Sequence, residues 1–440
     1  MEQNNLSEEL IRKWHKDHVL GVGLDEFDII FYDGEGIFIK DINGKEYLDF
    51  SSQTYNVNIG HKNKKVINAA IKQMNKLSFC SMLAMNEPKS KLARLFYEIT
   101  NKSFIKTYTV SSGSEANESA LKFARKIRKD KGSYKFMSFL GAYHGATYGA
   151  YSLTSQLFCK PVYTGADYYG TIHIHAPYCY RCIYGQKYPE CNLECAKAIE
   201  SFVIQEGADH YAAIIMEPII SQLGVVIPPI EFMQYIRDFT NKIGIVLIFD
   251  EVITGFGRTG KLFAYEHFNN IFPDIMTLGK GISSGYAAIA AMLISENLSK
   301  LDYYPYYHGF TMSGSPLANA IVYENIKIII EEHLIENANR VGKYFLSKLK
   351  ELENDFMIIG DCRGIGLLLA LEIVNDKVGK IPNLESAKLV WKYCLSEGLL
   401  FHLCARGTNV TLQFTPPLIT KEEHIDKAIN ILKKAFIQSR

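Results

Sequence analysis

Residues 245–284, IVLIFDEVITGFGRTGKLFAYEHFNNIFPDIMTLGKGISS, decide how this chain folds. Ile245 to Phe249 are five apolar residues in a row, and they end on two acids, Asp250 and Glu251. A short apolar run with no alternation reads as a strand buried on both faces, the kind found inside parallel sheets. The carboxyl ends of such strands are where α/β proteins hold ligands. Past the glycines at 255, 257 and 260, a second run, Ile275 to Leu278, ends on Gly279, Lys280 and Gly281. One carboxylate and one amine are therefore delivered to the same edge of the same sheet.

Outward from this stretch, Phe104–Val110, Lys135–Leu140 and Tyr211–Met216 read as further strands, the last ending on Glu217-Pro218. Helical patterns separate them, so strands and helices alternate from about 104 to 295, as an α/β sheet covered on both faces requires. The helix that opens at SSGSEANESALKFARK begins on small residues whose N–H groups are unpaired, a geometry suited to phosphate. Gly113 and Ser114 are the candidate ligands; the plain alternative is an N-cap. Near the start, GEGIFIKDINGKEYLDFSS predicts a hairpin turning at Asn43-Gly44. A helix is expected before it over Met1–Trp14. After it comes an amphipathic helix with Ile67, Ala70, Ile71 and Met74 on one face. The last helix carries a capping box, Thr420 with Glu423.

A formal net charge of +1 gives no reason to expect nucleic acid or an anionic membrane as partner. No apolar run approaches the roughly 20 residues of a membrane span and the start is too polar for a signal peptide, so a cytoplasmic protein is expected. Nine cysteines, an odd number, argue for free thiols. Four of them, Cys179, Cys182, Cys191 and Cys195, fall as C-x2-C and C-x3-C. That spacing leaves open a thiolate metal site or free thiols packed under a loop. A metal-stapled binding module is the reading it would support outside enzymology.

The run D-E-V-x-x-G-x-G-R-T-G, a spacer, then P-D-x-x-x-x-G-K-G resembles the signature of the class III, or ω-type, aminotransferases, pyridoxal-phosphate enzymes of fold type I. S-G-S-E-A-N-E-x-A-x-K-x-A-R resembles their phosphate loop, and G-x-T-x-S-G-x-P at 309–316 another family segment; the resemblance spans about residues 30 to 436. It implies a seven-stranded, mainly parallel sheet in a large domain over 61–325. It also implies a small α/β domain over 326–440, to which the N-terminal segment 1–60 contributes. Pyridoxal 5'-phosphate needs an amine for its aldehyde and an anion for its ring nitrogen. By resemblance Lys280 and Asp250 supply these, as the catalytic pair. Gly113 and Ser114 hold the phosphate, Tyr143 stacks on the ring with His144 shaping the turn, Glu217 forms the floor and Val252 packs on the ring face. Thr311 reaches the phosphate of a neighbouring subunit, implying a homodimer with shared sites, and Tyr55 lines the substrate pocket.

Two departures bear on the substrate. Glutamate-using members have an Arg three residues before the final P-P-L and a Glu five residues after the E-P glutamate; here Gln413 and Gln222 stand there. A fixed cation for an α-carboxylate is thus missing. Arg406, ten residues before Pro416, matches the mobile arginine of pyruvate-using ω-aminotransferases and of diaminopelargonate synthases. The expected activity is amino transfer from an ω-amine or amino acid to a keto acid, pyruvate by resemblance, with ping-pong kinetics. A diaminopelargonate synthase-like enzyme, or an epimerase or aminomutase of the same fold, is the alternative.

Overall fold

The computed structural model describes residues 7–21, 28–155, 170–269, 271–301, 306–405 and 407–439. At its centre lies a seven-stranded sheet in the order Phe104–Val110, Ala290–Ser295, Ile275–Leu278, Val246–Asp250, Tyr211–Met216, Lys135–Phe139 and Thr171–Ile174. All neighbours pair in parallel except those of Ala290–Ser295, which runs against both of its partners. This is the mainly parallel α/β sheet that the alternating strands and helices predict.

Strand Val246–Asp250 shows why the fold forms. Every residue in it is buried, but successive side chains join different packing layers. Leu247 and Phe249 pack in the cluster of Phe232, Ile236 and Phe239 from helix Ile230–Ile243. Val246 and Ile248 pack with Ala120, Phe123 and Ala124 of helix Gly113–Ile127. The period of two thus divides one apolar run between two helical layers.

Two smaller sheets flank the centre. Ile359–Ile365, Leu368–Ile373, Val410–Phe414 and His402–Ala405 form an antiparallel sheet. Phe31–Glu35, Phe38–Asp41 and Glu46–Asp49 form the predicted hairpin region, with Gly44 at a φ of 82° where the turn requires it. That sheet is completed by Leu399–Leu400, which pairs in parallel with Glu46–Asp49.

Three local expectations need correction. The first helix among the described residues spans Glu8–His18, running past Trp14, with Ser7 capping it by accepting from the Leu10 N–H at 3.2 Å; Met1 to Leu6 of the expected helix lie outside the described residues. Helix Lys64–Lys76 turns Ile67, Ile71 and Met74 outward and buries Val66 and Gln73 instead. The last helix, Glu422–Gln438, takes no capping box from Thr420 and Glu423. The Thr420 hydroxyl donates to the Pro417 carbonyl at 2.7 Å, and the Lys421 N–H donates to His424 Nδ1 at 3.0 Å.

The hairpin region leads into an unusual turn. Ser52, Gln53, Thr54 and Tyr55 have φ values of 46°, 45°, 71° and 63°, four consecutive side-chain-bearing residues in the left-handed region. Such a conformation costs roughly 1–2 kcal/mol per residue and survives only where neighbours over-determine it.

Candidate active site

The carboxyl edge of the central sheet gathers the side chains that the sequence singled out. A cavity of about 210 Å³ there is lined by Gly113, Ser114, Asn117, Tyr143, His144, Glu217, Asp250, Val252 and Lys280. Each comes from a strand end or from the loop and helix that follow one. Asp250 closes its strand; Lys280 and Glu217 follow the ends of theirs. Tyr143 and His144 lie in the loop after Lys135–Phe139.

Helix Gly113–Ile127 starts at the cavity. Its N-cap, Ser112, accepts from the Glu115 N–H at 3.2 Å, and Ser114 Oγ accepts from the Ala146 N–H at 3.1 Å. A Cβ on Gly113 would be a tight fit, 3.1 Å from Val252 Cγ1. The helix terminus therefore faces the cavity with its positive end and without a side chain in the way.

Asp250 is almost fully buried and accepts from three donors. Oδ2 takes His144 Nδ1–H and Asn117 Nδ2–H, both at 2.8 Å, and Oδ1 takes the Val252 N–H at 3.0 Å. Asn117 is itself fixed, donating also to the His144 carbonyl at 2.7 Å and accepting from Thr277 Oγ1 at 2.7 Å. Glu217 accepts from the Ser221 N–H at 3.0 Å and, more weakly, from the Tyr143 N–H at 3.4 Å. Burial raises its carboxyl to about 7, with Asp250 adding to the shift and His144 opposing it. Burial likewise pushes the Lys280 amine below its ordinary range, against the pull of Asp250 and Glu217. An amine lowered in this way sheds its proton more readily and becomes a better nucleophile and base.

The remaining candidates lie elsewhere. Tyr55 is buried beyond the cavity lining, with its hydroxyl donating to Gln413 Oε1 at 2.8 Å and its ring stacked on His402 at 4.2 Å. Thr311 is exposed in a turn and lines no part of this cavity. Arg406 lies outside the described residues. Asn117 was not singled out from sequence, although it sits one helical turn after Gly113, on the face that meets the sheet edge.

The cysteine segment does something else. Among the described residues no three Cys, His, Asp or Glu side chains converge to hold a metal ion. Burial raises the Cys179 thiol and pushes Cys195 up to about 11. The segment docks on the antiparallel sheet through Glu372, which is fully buried. Tyr178 and Arg181 reach Glu372 from the segment, and Arg363 Nη1 meets it at 2.7 Å.

Comparison with known proteins agrees with this geometry. The family model for class-III aminotransferases matches residues 20–436. A taurine–pyruvate aminotransferase of Bilophila wadsworthia is 35% identical over 92% of this chain and 92% of its own. A leucine/methionine racemase of Thermococcus litoralis is 32% identical over 98% of this chain and 95% of its own. A solved Bacillus anthracis aminotransferase superposes with a TM-score of 0.93 at 34% identity, covering 100% of both chains. The cofactor of such enzymes carries a phosphate, a flat basic ring and an aldehyde. The residues here fit it: an open helix N-terminus at Gly113, a buried carboxylate at Asp250 and a buried amine at Lys280. With family model, fold and donor set in agreement, the chain belongs to the class-III aminotransferases, the pyridoxal-phosphate enzymes that move amino groups.

Proposed function

We propose that this enzyme takes an amino group from an ω-amine or amino acid and passes it to pyruvate, giving alanine, with the two substrates alternating through one pocket. The observation that carries this reading is Gln413. It is fully buried, and both ends of its amide are occupied, by the Tyr55 hydroxyl at 2.8 Å and by Thr411 Oγ1 at 3.0 Å. Gln413 is uncharged where a glutamate-using site needs a fixed cation. Arg406 is the carboxylate partner in this reading, and Tyr55 forms part of the substrate wall.

When bound, the cofactor supplies an electron sink. The chain does the rest. Gly113, Ser114 and the helix terminus would hold the phosphate, and Tyr143, His144, Val252 and Glu217 would surround the ring. Asp250, oriented by Asn117 and His144, would face the ring nitrogen and favour its protonated form. Lys280 would hold the aldehyde end and would serve as the base for the proton on the substrate carbon that bears the amine. A homodimer completes the site, with Thr311 serving the neighbouring subunit. The outward apolar stripe of helix Lys64–Lys76 and the exposed Leu83, Met85 and Met312 suit such an interface.

The test is the holoenzyme's cofactor absorption on adding alanine alone, with glutamate in parallel. Bleaching by alanine, reversed by pyruvate, is the expected result. A response to glutamate only would overturn the pyruvate reading. The racemase relative motivates a second reading, an epimerase, which would interconvert stereoisomers of an amino acid with no keto acid added.

A further inference from the structure

Arg258 is the largest fully buried side chain of the described residues, and none of its contacts is a carboxylate within ion-pair distance. Its fork donates to neutral acceptors from three separate parts of the chain. Nη2 reaches Ser52 Oγ at 3.2 Å and Asn58 Oδ1 at 2.7 Å; Nη1 reaches the carbonyls of Leu367, at 3.1 Å, and Pro416. Ser52 is the first residue of the left-handed turn and Tyr55 the last. Asn58 lies against the residue after the lysine, since a Cβ on Gly281 would sit 2.3 Å from Asn58 Nδ2. The turn has other restraints: Ser52 Oγ also donates to the Thr415 carbonyl at 2.5 Å, and the Gln53 N–H reaches Ser51 Oγ at 3.1 Å. Asp49 Oδ1 accepts from Ser51 Oγ at 2.6 Å and from the Gln53 N–H at 3.4 Å, and Gln413 holds the Tyr55 hydroxyl.

We infer that Arg258 is a positioning residue: its fork holds the turn Ser52–Tyr55 in its left-handed form, and so fixes Tyr55 relative to Lys280 for substrate recognition. A lysine cannot replace it, because one ammonium does not span acceptors on three segments. Strain in side-chain-bearing left-handed residues supplies the tendency to relax once the fork is gone. The inference rests on Tyr55 forming part of the substrate wall, as proposed above.

The experiment measures amine-donor KM and kcat on the holoenzyme of four variants: Arg258→Lys, Thr54→Gly, the two combined, and Tyr55→Ala. Arg258→Lys is expected to raise KM about tenfold or more while kcat stays within about twofold, since the wall moves and the chemistry does not. Thr54 is exposed and at a φ of 71°, so glycine there removes strain without removing packing. In the Arg258→Lys background, Thr54→Gly is therefore expected to recover most of the lost KM, although Arg258 does not touch Thr54. A general loss of structure would not be rescued that way. Unchanged KM in Arg258→Lys, or a raised KM that Thr54→Gly leaves in place, overturns the inference. If Tyr55→Ala raises KM while Arg258→Lys does not, only the positioning role falls. If Tyr55→Ala leaves KM unchanged, the substrate-wall reading falls and the inference with it. Should Arg258→Lys yield no soluble enzyme, Arg258→Gln, which carries no charge to bury and cannot span the three segments either, is read by the same criteria.

Discussion

Asn117 shows how much a single amide can organise. It orients the carboxylate of Asp250 and fixes the His144 carbonyl, and nothing else in the cavity reaches both. Replacing it with alanine leaves a buried carboxylate short of one donor, a loss of about 1–3 kcal/mol. Asn117→Ala is therefore expected to weaken cofactor binding about tenfold or more, read by fluorescence titration of the apoenzyme. Asp250, Lys280, Gly113 and Ser114 were legible in the sequence because strand ends and a helix start place them, and both carry local signals. Asn117 and Arg258 were not, because what they do depends on which distant groups the fold brings to them. The turn at Tyr55 was equally hidden: none of Ser52, Gln53, Thr54 or Tyr55 is a glycine, the residue that usually marks a left-handed backbone.

At the scale of elements, two buried acids act as tethers. Glu251, beside Asp250 but turned away from the cavity, accepts from Thr254 Oγ1 at 2.5 Å and from the N–H groups of Ala264 and Tyr265, both at 2.9 Å. It pins the glycine-rich segment that leads to the lysine strand. Burial raises its carboxyl from 4.5 to about 7 despite these donors. The unfolded chain then loses this proton well before the folded one. The stabilisation is full below about 4.5 and is lost as pH climbs through about 7. Glu251→Gln cannot titrate, so its melting temperature should start lower but fall less between pH 5 and 8 than that of the parent. Glu372 is the second tether, facing Arg181 and Arg363. Glu372→Ala takes the carboxylate partner from Arg181, while Arg363 keeps Asp361 at 2.5 Å, and should cost about 3–5 kcal/mol in denaturant unfolding. The spacing of the cysteine segment left thiolate chemistry open, yet the contacts that dock it on Glu372 come from Tyr178, just before its first cysteine, and from Arg181. Periodicity also found helix Lys64–Lys76 but not its orientation, because an apolar stripe looks the same whether it meets a core or a partner surface.

At the scale of the whole molecule, that outward stripe sets the expected assembly. Leu83 and Met85 are almost entirely exposed, at 87% and 96%, which is unusual for apolar side chains unless something covers them. On the proposed homodimer, Leu83→Glu combined with Met85→Glu should shift the mass in light-scattering chromatography from dimer to monomer and remove activity with it. An unchanged mass would place the interface elsewhere. The pairing of Leu399–Leu400 with Glu46–Asp49 has a consequence for the cell rather than for the site. Lys45 donates to the Ser396 carbonyl 351 positions away, so the first sheet of the protein waits for nearly the last part of the chain. At about 5–20 residues per second on the ribosome, that is some tens of seconds in which the nascent hairpin presents an unpaired edge, open to wrong neighbours. Yield of active enzyme should therefore depend on the pace of translation and on chaperone supply more than its final stability alone suggests.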